Sequence, residues 1–192
     1  MQPHDPAVAA LLAGLPADLS TPAEVDRAVD AAAAALRRRG VRRLPAPATW
    51  AGIGQELRSP TQLLDERAGT SLDLTLALAA VLERAGLRPQ LWLAEGTATD
   101  GAHAFLGCWR TDRPAPTVAT TDVAALADLV ATGEIRLVET TLLADGARAG
   151  ADLHAAAASW TAADRGRLLG ITDVHRARAA GLHPLDLSLI HI

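Results

Sequence analysis

From residue 21 onward the apolar positions fall into blocks with two different periods. Val25, Ala28, Val29, Ala32 and Leu36 recur three and four apart, the spacing of one face of a helix. Thr21-Pro22-Ala23-Glu24 opens this block as a capping box with proline at the first helical position, and Gly40 is placed to stop it. A short helix over 7–14 is expected before it. Ser59-Pro60 opens another that runs to Arg67, and Ala68-Gly69-Thr70 breaks the pattern ahead of a helix over 71–85 that stops at Gly86. That last block carries Leu72, Leu74, Leu76, Leu78, Val81 and Leu82 around nearly its whole circumference, so it belongs in the interior.

Segments 90–95, 103–109 and 135–141 are short apolar or β-branched runs bounded by Gly, Pro or Asp, and predict strands. A helix over 122–131 lies between the last two, with Val123, Leu126 and Val130 on one face. Helical spacing returns over 151–160 and 173–180, while 44–60, rich in Pro and Gly, is a connecting loop. The expected architecture is α+β, a buried central helix packed on a small antiparallel sheet.

Composition narrows the chemistry. The 192 residues contain no lysine, which excludes a phosphate-binding loop of the G-x-x-x-x-G-K-[ST] kind and a Schiff-base lysine. A net charge of −4 does not point to direct nucleic-acid binding. The single cysteine, Cys108, excludes an internal disulfide and a multi-cysteine zinc site. His4, His103, His154, His175 and His183 have no metal-binding spacing, so no metal and no cofactor is expected. Without a long apolar run or a basic secretory start, the chain reads as cytoplasmic with no membrane contact. Arg37, Arg38, Arg39, Arg42 and Arg43 cluster after the first long helix; they either complement the negative end of its dipole, the preferred expectation, or form a patch for an acidic partner. The final Leu-Ser-Leu-Ile-His-Ile departs from the rest in composition and reads in frame as a translated sequencing adapter. Residues 1–20 are thus a lead-in, 21–185 the domain, and 186–192 an expected non-native tail beyond which the native chain continued.

Three polar residues occupy suggestive places: Ser71 at the start of the buried helix, His103 at the start of a strand and Glu139 inside another. A nucleophile at a helix N-terminus sits against unpaired N–H groups, a histidine on a neighbouring strand can act as base, and a carboxylate can fix its tautomer. Spacing alone leaves Ser71 equally an ordinary cap, and His103 and Glu139 equally satisfied polar residues. Asp73 reads as a first-turn acid complementing the dipole. Cys108, an odd five positions from His103, should face the other side of its strand as a core residue. Phe105 and Trp109 share the parity of His103, and wall a cleft or fill the core; Trp50, Trp92 and Trp160 are assigned to packing.

Several blocks occur in a particular order: Gly54-Gln55-x-x-Arg58-Ser59-Pro60, Gly69-Thr70-Ser71-Leu72-Asp73-Leu74, Leu82-Glu83-x-Ala85-Gly86-Leu87-x-Pro89, Gly101-Ala102-His103-Ala104-Phe105-x-Gly107-x-Trp109 and Val138-Glu139-Thr140-Thr141. In this order they resemble the transglutaminase-like (papain-like thiol peptidase) domain in the N-terminal region of large bacterial superfamily I helicase-type proteins. Ala177-Arg178-Ala179-Ala180-Gly181-Leu182-His183-Pro184-Leu185 is similar to the segment that ends that domain, and the resemblance covers roughly 25–185. It implies a transglutaminase-like fold, a nucleophile–His–acid set on Ser71, His103 and Glu139, a supporting Gln55, peptide or protein partners, and a helicase-type region downstream. The family has cysteine where this chain has Ser71. A thiol is brought to a standing thiolate by a helix N-terminus and an imidazolium, whereas a serine hydroxyl titrates far too high and must lose its proton during attack. The expectation is therefore a degenerate thiol-peptidase domain that binds a peptide or protein with little catalysis. The alternatives are an acyl-transfer or peptidase domain whose working form carries cysteine at 71, and a structural spacer.

Overall fold

Local capping chemistry sets the first four helices, α1 (Pro6–Leu11), α2 (Pro22–Arg37), α3 (Pro60–Glu66) and α4 (Ser71–Arg84). The last three each begin with a complete capping box, formed by Thr21 with Glu24, Ser59 with Gln62 and Thr70 with Asp73. An N-cap side chain of this kind contributes roughly 1 kcal/mol. The structure, a computed structural model, describes residues 1–45, 57–96, 101–112, 117–148, 150–161 and 166–184. Gln55, Trp50 and the 186–192 tail lie outside the described residues.

Two-residue strands β1 (Arg42–Arg43) and β2 (Ala68–Gly69) pair in parallel and tie the end of α2 to the start of α4. Five longer-range strands follow: β3 (Pro89–Gly96), β4 (Ala102–Trp109), β5 (Ala119–Thr120), β6 (Ile135–Val138) and β7 (Gly166–Asp173). They form one antiparallel sheet in the order β5-β7-β3-β4-β6. With α5 (Val123–Ala131), α6 (Leu153–Ala158) and α7 (Val174–Ala179), the chain is α+β, as its patterning predicts. Among the described residues no helix is long and apolar enough to cross a membrane.

The sheet is covered on both faces, not by one helix alone. On one side Leu106 and Cys108 of β4 and Val138 of β6 pack with Leu74, Leu78 and Leu82 of α4. Each such leucine contributes about 1.5–3 kcal/mol by leaving water. The opposite side holds Phe105 and Trp109 of β4, Trp92, Leu137, Leu126 of α5 and Trp160. Alternation along β4 therefore separates Cys108 from the aromatic residues of odd number, and all eight residues of the strand are buried.

Three segments depart from expectation. The sequence pattern did not predict β7, the partner of both β3 and β5. Its pairing jumps from Leu93↔Gly170 to Ala94↔Leu168, so Leu169 is a bulge that interrupts the period of two between flanking glycines. The strand expected over 135–141 stops at Val138, and a 3-10 turn occupies Thr140–Leu143. Glu139 is thus the cap of that turn, not a residue inside a strand: its carboxylate takes the Thr141 N–H, offering the backbone an alternative to the ladder. The helix expected over 151–160 is α6 followed by a 3-10 turn, Ser159–Thr161. At the edge of the sheet the Leu137 N–H, which has no strand partner, donates to His154 Nδ1 at 3.0 Å.

Candidate active site

Because β6 ends at Val138, the Ala104 N–H and C=O of the neighbouring strand face a gap instead of a ladder. Side chains fill it. Ser71 Oγ accepts from the Ala104 N–H at 3.3 Å, and Thr140 Oγ1 donates to the Ala104 carbonyl at 3.4 Å. Thr75 Oγ1 donates to the Ser71 carbonyl at 2.8 Å and shares a 2.8 Å hydrogen bond with Thr140 Oγ1. The amino end of α4 is thereby fastened to β4 at the residue beside His103. Ser71 is not the helix cap: Thr70 takes that role by accepting from the Asp73 N–H at 3.3 Å. The Ser71 hydroxyl is left to reach across to the sheet.

His103 Nε2 lies 3.0 Å from Glu139 Oε2. A carboxylate has no proton to give, so Nε2 carries the hydrogen, and in the neutral ring the lone pair belongs to Nδ1. Glu139 is fully engaged. Its Oε2 also accepts the Trp160 indole N–H at 3.1 Å, and its Oε1 accepts the Thr141 N–H at 3.2 Å and hydroxyl at 2.7 Å. Burial, the largest influence, pushes the Glu139 carboxyl up, but the hydrogen bond and charge of His103 with the two Thr141 hydrogen bonds outweigh it. The net direction is below the ordinary value of 4.5, so the group is held as a carboxylate.

Trp160 completes the arrangement. Its ring stacks on the imidazole with centroids 4.4 Å apart and planes 15° from parallel, while Phe105 stands 6.1 Å from the imidazole. The imidazole is thus fixed by a carboxylate at one nitrogen and an aromatic plane over its face. Ser71 is 1% exposed, His103 4% and Glu139 3%. Among the described residues no hydrogen bond joins Ser71 Oγ to His103. The arrangement is an oriented imidazole–carboxylate pair with a hydroxyl seated one residue away, and the hydroxyl is un-ionised.

The remaining candidates have structural tasks. Asp73, 1% exposed, accepts the Thr70 N–H and hydroxyl through Oδ2 at 2.9 and 3.0 Å and the Arg58 N–H through Oδ1 at 2.9 Å. It braces the start of α4 against the segment at Arg58. Burial pushes the Cys108 thiol up to about 12, so it is an inert core group. Phe105 and Trp109 lie in the buried cluster. Trp160, assigned from sequence to packing alone, is a member of the site, Thr140 and Thr141 were named only as part of a sequence block without a role, and Thr75 was not singled out. Glu139-Thr140-Thr141 carries a local signal, an acceptor followed by two donors; Trp160, 21 residues from Glu139, carries none. No family model, curated protein or solved structure matches the chain.

Proposed function

We propose that this chain is a transglutaminase-like, papain-like domain with serine in the nucleophile position, a degenerate thiol-peptidase domain that binds a peptide or protein partner with little catalysis. The observation that carries this reading is the 3.0 Å His103–Glu139 pair beside the residue on which Ser71 Oγ rests. An imidazole oriented by a carboxylate leaves Nδ1 basic, the requirement for drawing a proton from a nucleophile at a helix N-terminus. With serine there, a standing ion pair is out of reach, because no neighbouring charge lowers a hydroxyl to the thiol range. The resemblance adds a helicase-type region downstream as the setting of the domain in its parent protein.

The test is Ser71→Cys assayed with a thiol-directed electrophile beside the parent chain, in which Cys108, its thiol pushed up to about 12, sets the background. Labelling well above the rate of a free thiol, and lost again in Ser71→Cys/His103→Ala, is the expected result. A thiol that reacts no faster than one in solution would sink the reading. Turnover of a peptide library by the cysteine form would instead favour an acyl-transfer domain whose working form has cysteine at 71. A structural spacer is the second reading, favoured by the near-complete burial of all three groups.

A further inference from the structure

Among the described residues some arginines of this chain hold carboxylates and others do not; Arg84, Arg148 and Arg176 of the second kind are scattered, but six others fall together. Arg58, Arg110, Arg136 and Arg178 each hold a carboxylate, at 2.8, 2.7, 2.6 and 2.7 Å respectively. Arg37, Arg38, Arg39, Arg42, Arg43 and Arg67 hold none among the described residues. Topology gathers these six at one place. The first three end α2, Arg42 and Arg43 form β1, and the Arg42 N–H donates to the Arg67 carbonyl at 2.8 Å just before β2. Five of the six are exposed, in a chain whose net charge is −4.

Their charge complements the negative end of α2, but hydrogen-bond capping of that end does not use their side chains. The last carbonyls of α2 are taken by backbone, with Arg38, Arg39 and Gly40 N–H groups donating to Ala34, Leu36 and Arg37 at 3.0–3.1 Å. Arg37 and Arg39 reach away from the helix, to the carbonyls of Arg148 and Ala10 at 3.5 and 3.3 Å. Arg38, Arg39 and Arg67 instead line a groove of about 510 Å³ whose apolar lining is Ala7, Ala10 and Leu64. Asp65 also lines it without forming an ion pair with any of the three.

We propose that this groove is a docking surface for an acidic segment of a protein partner, one that sets small apolar side chains between its carboxylates. Guanidinium groups at the walls match carboxylates in fork geometry, and the alanine and leucine lining takes the apolar positions between them. A nucleic-acid phosphate backbone would use the charge but not the lining, and among the described residues no aromatic ring stands in the groove to stack a base. The surface lies outside the Ser71–His103–Glu139 site, so it stands or falls separately from the function proposed above.

The experiment is fluorescence anisotropy of the full chain with three labelled probes: an amphipathic peptide of Glu, Ala and Leu, polyglutamate of equal charge, and duplex DNA. The amphipathic peptide is expected to bind tightest, with affinity falling as salt rises. Arg38→Glu/Arg39→Glu should weaken it by about tenfold or more, while Arg167→Glu, on β7 of the sheet and away from the groove lining, leaves it unchanged. Arg67→Glu, on the opposite wall element of the same groove, provides a second reversal should the first disturb α2, with folding checked by circular dichroism. Tighter binding of DNA, equal binding of polyglutamate, equal loss in Arg167→Glu, or no binding of any probe would each overturn the proposal.

Discussion

The two faces of the five-stranded sheet are covered by different chemistry. Against α4 the contacts are apolar, with Leu106, Cys108 and Val138 meeting Leu74, Leu78 and Leu82. The opposite face is built from tryptophans that each place an indole N–H on a polar side chain. Trp92 donates to Gln90 Oε1 at 3.1 Å, Trp109 to Asp173 Oδ2 at 2.7 Å and Trp160 to Glu139 Oε2 at 3.1 Å. An apolar face is tolerant, since any side chain of about the right volume restores most of its burial. The polar-aromatic face is not, because removing one acceptor strands several buried donors at once. The imidazole–carboxylate pair of the candidate site stands on the second face: a fixed imidazole needs directional partners, which aliphatic packing does not supply.

Stability measurements break or sharpen this contrast. Glu139→Ala leaves the His103, Trp160 and Thr141 donors without their acceptor, and should cost about 3–5 kcal/mol in denaturant unfolding. Glu139→Gln, which keeps an acceptor, should cost less. Leu78→Ala on the apolar face should cost about 2–5 kcal/mol through its cavity alone, and Leu78→Met should recover most of it. If Glu139→Gln proved as damaging as Glu139→Ala, the loss would be one of charge rather than of hydrogen-bond acceptance. A smaller effect is expected at Gly107, where a Cβ would collide with Trp92 Nε1 and Gln90 Oε1. Gly107→Ala should lose about 1–3 kcal/mol, and pairing it with Gln90→Ala should relieve part of the loss.

The smallest effect is the dependence on pH. Glu139 is held below its ordinary value of 4.5, so the folded chain binds fewer protons there than the unfolded one. Its contribution is complete above that value and fades as pH falls through the lower folded-state value. Urea midpoints measured from about pH 7 down to about pH 3 should therefore fall more steeply in the parent than in Glu139→Gln. Parallel curves would remove Glu139 as the titrating group.

What the sequence made readable was what is local. The capping box at Thr21, the apolar circumference of α4 and the alternation along β4 are set within a few residues and were read from the pattern, whereas the boxes at Ser59 and Thr70 were not. The candidates Ser71, His103 and Glu139 came from their places on the expected helix and strands, with block order added through the resemblance, and the fold brings the last two into contact. What escaped depends on distant partners. The bulge at Leu169 hid β7 because pairing with β3, not the period of its own side chains, defines that strand. Trp160 read as packing because its acceptor is supplied by another element, and Ser71 read as a cap because the gap in β4 that receives its hydroxyl exists only once β6 stops short.

Leu137 gives its backbone hydrogen to an imidazole on α6, and the far side of the same sheet is finished by a strand of only two residues. On the β6 margin the Glu139 N–H likewise goes to the Leu153 carbonyl, so groups that a stranger's strand would need are already taken there. That margin is therefore a poor template for a second copy of the chain, and ribbons that grow end to end are not seeded from it.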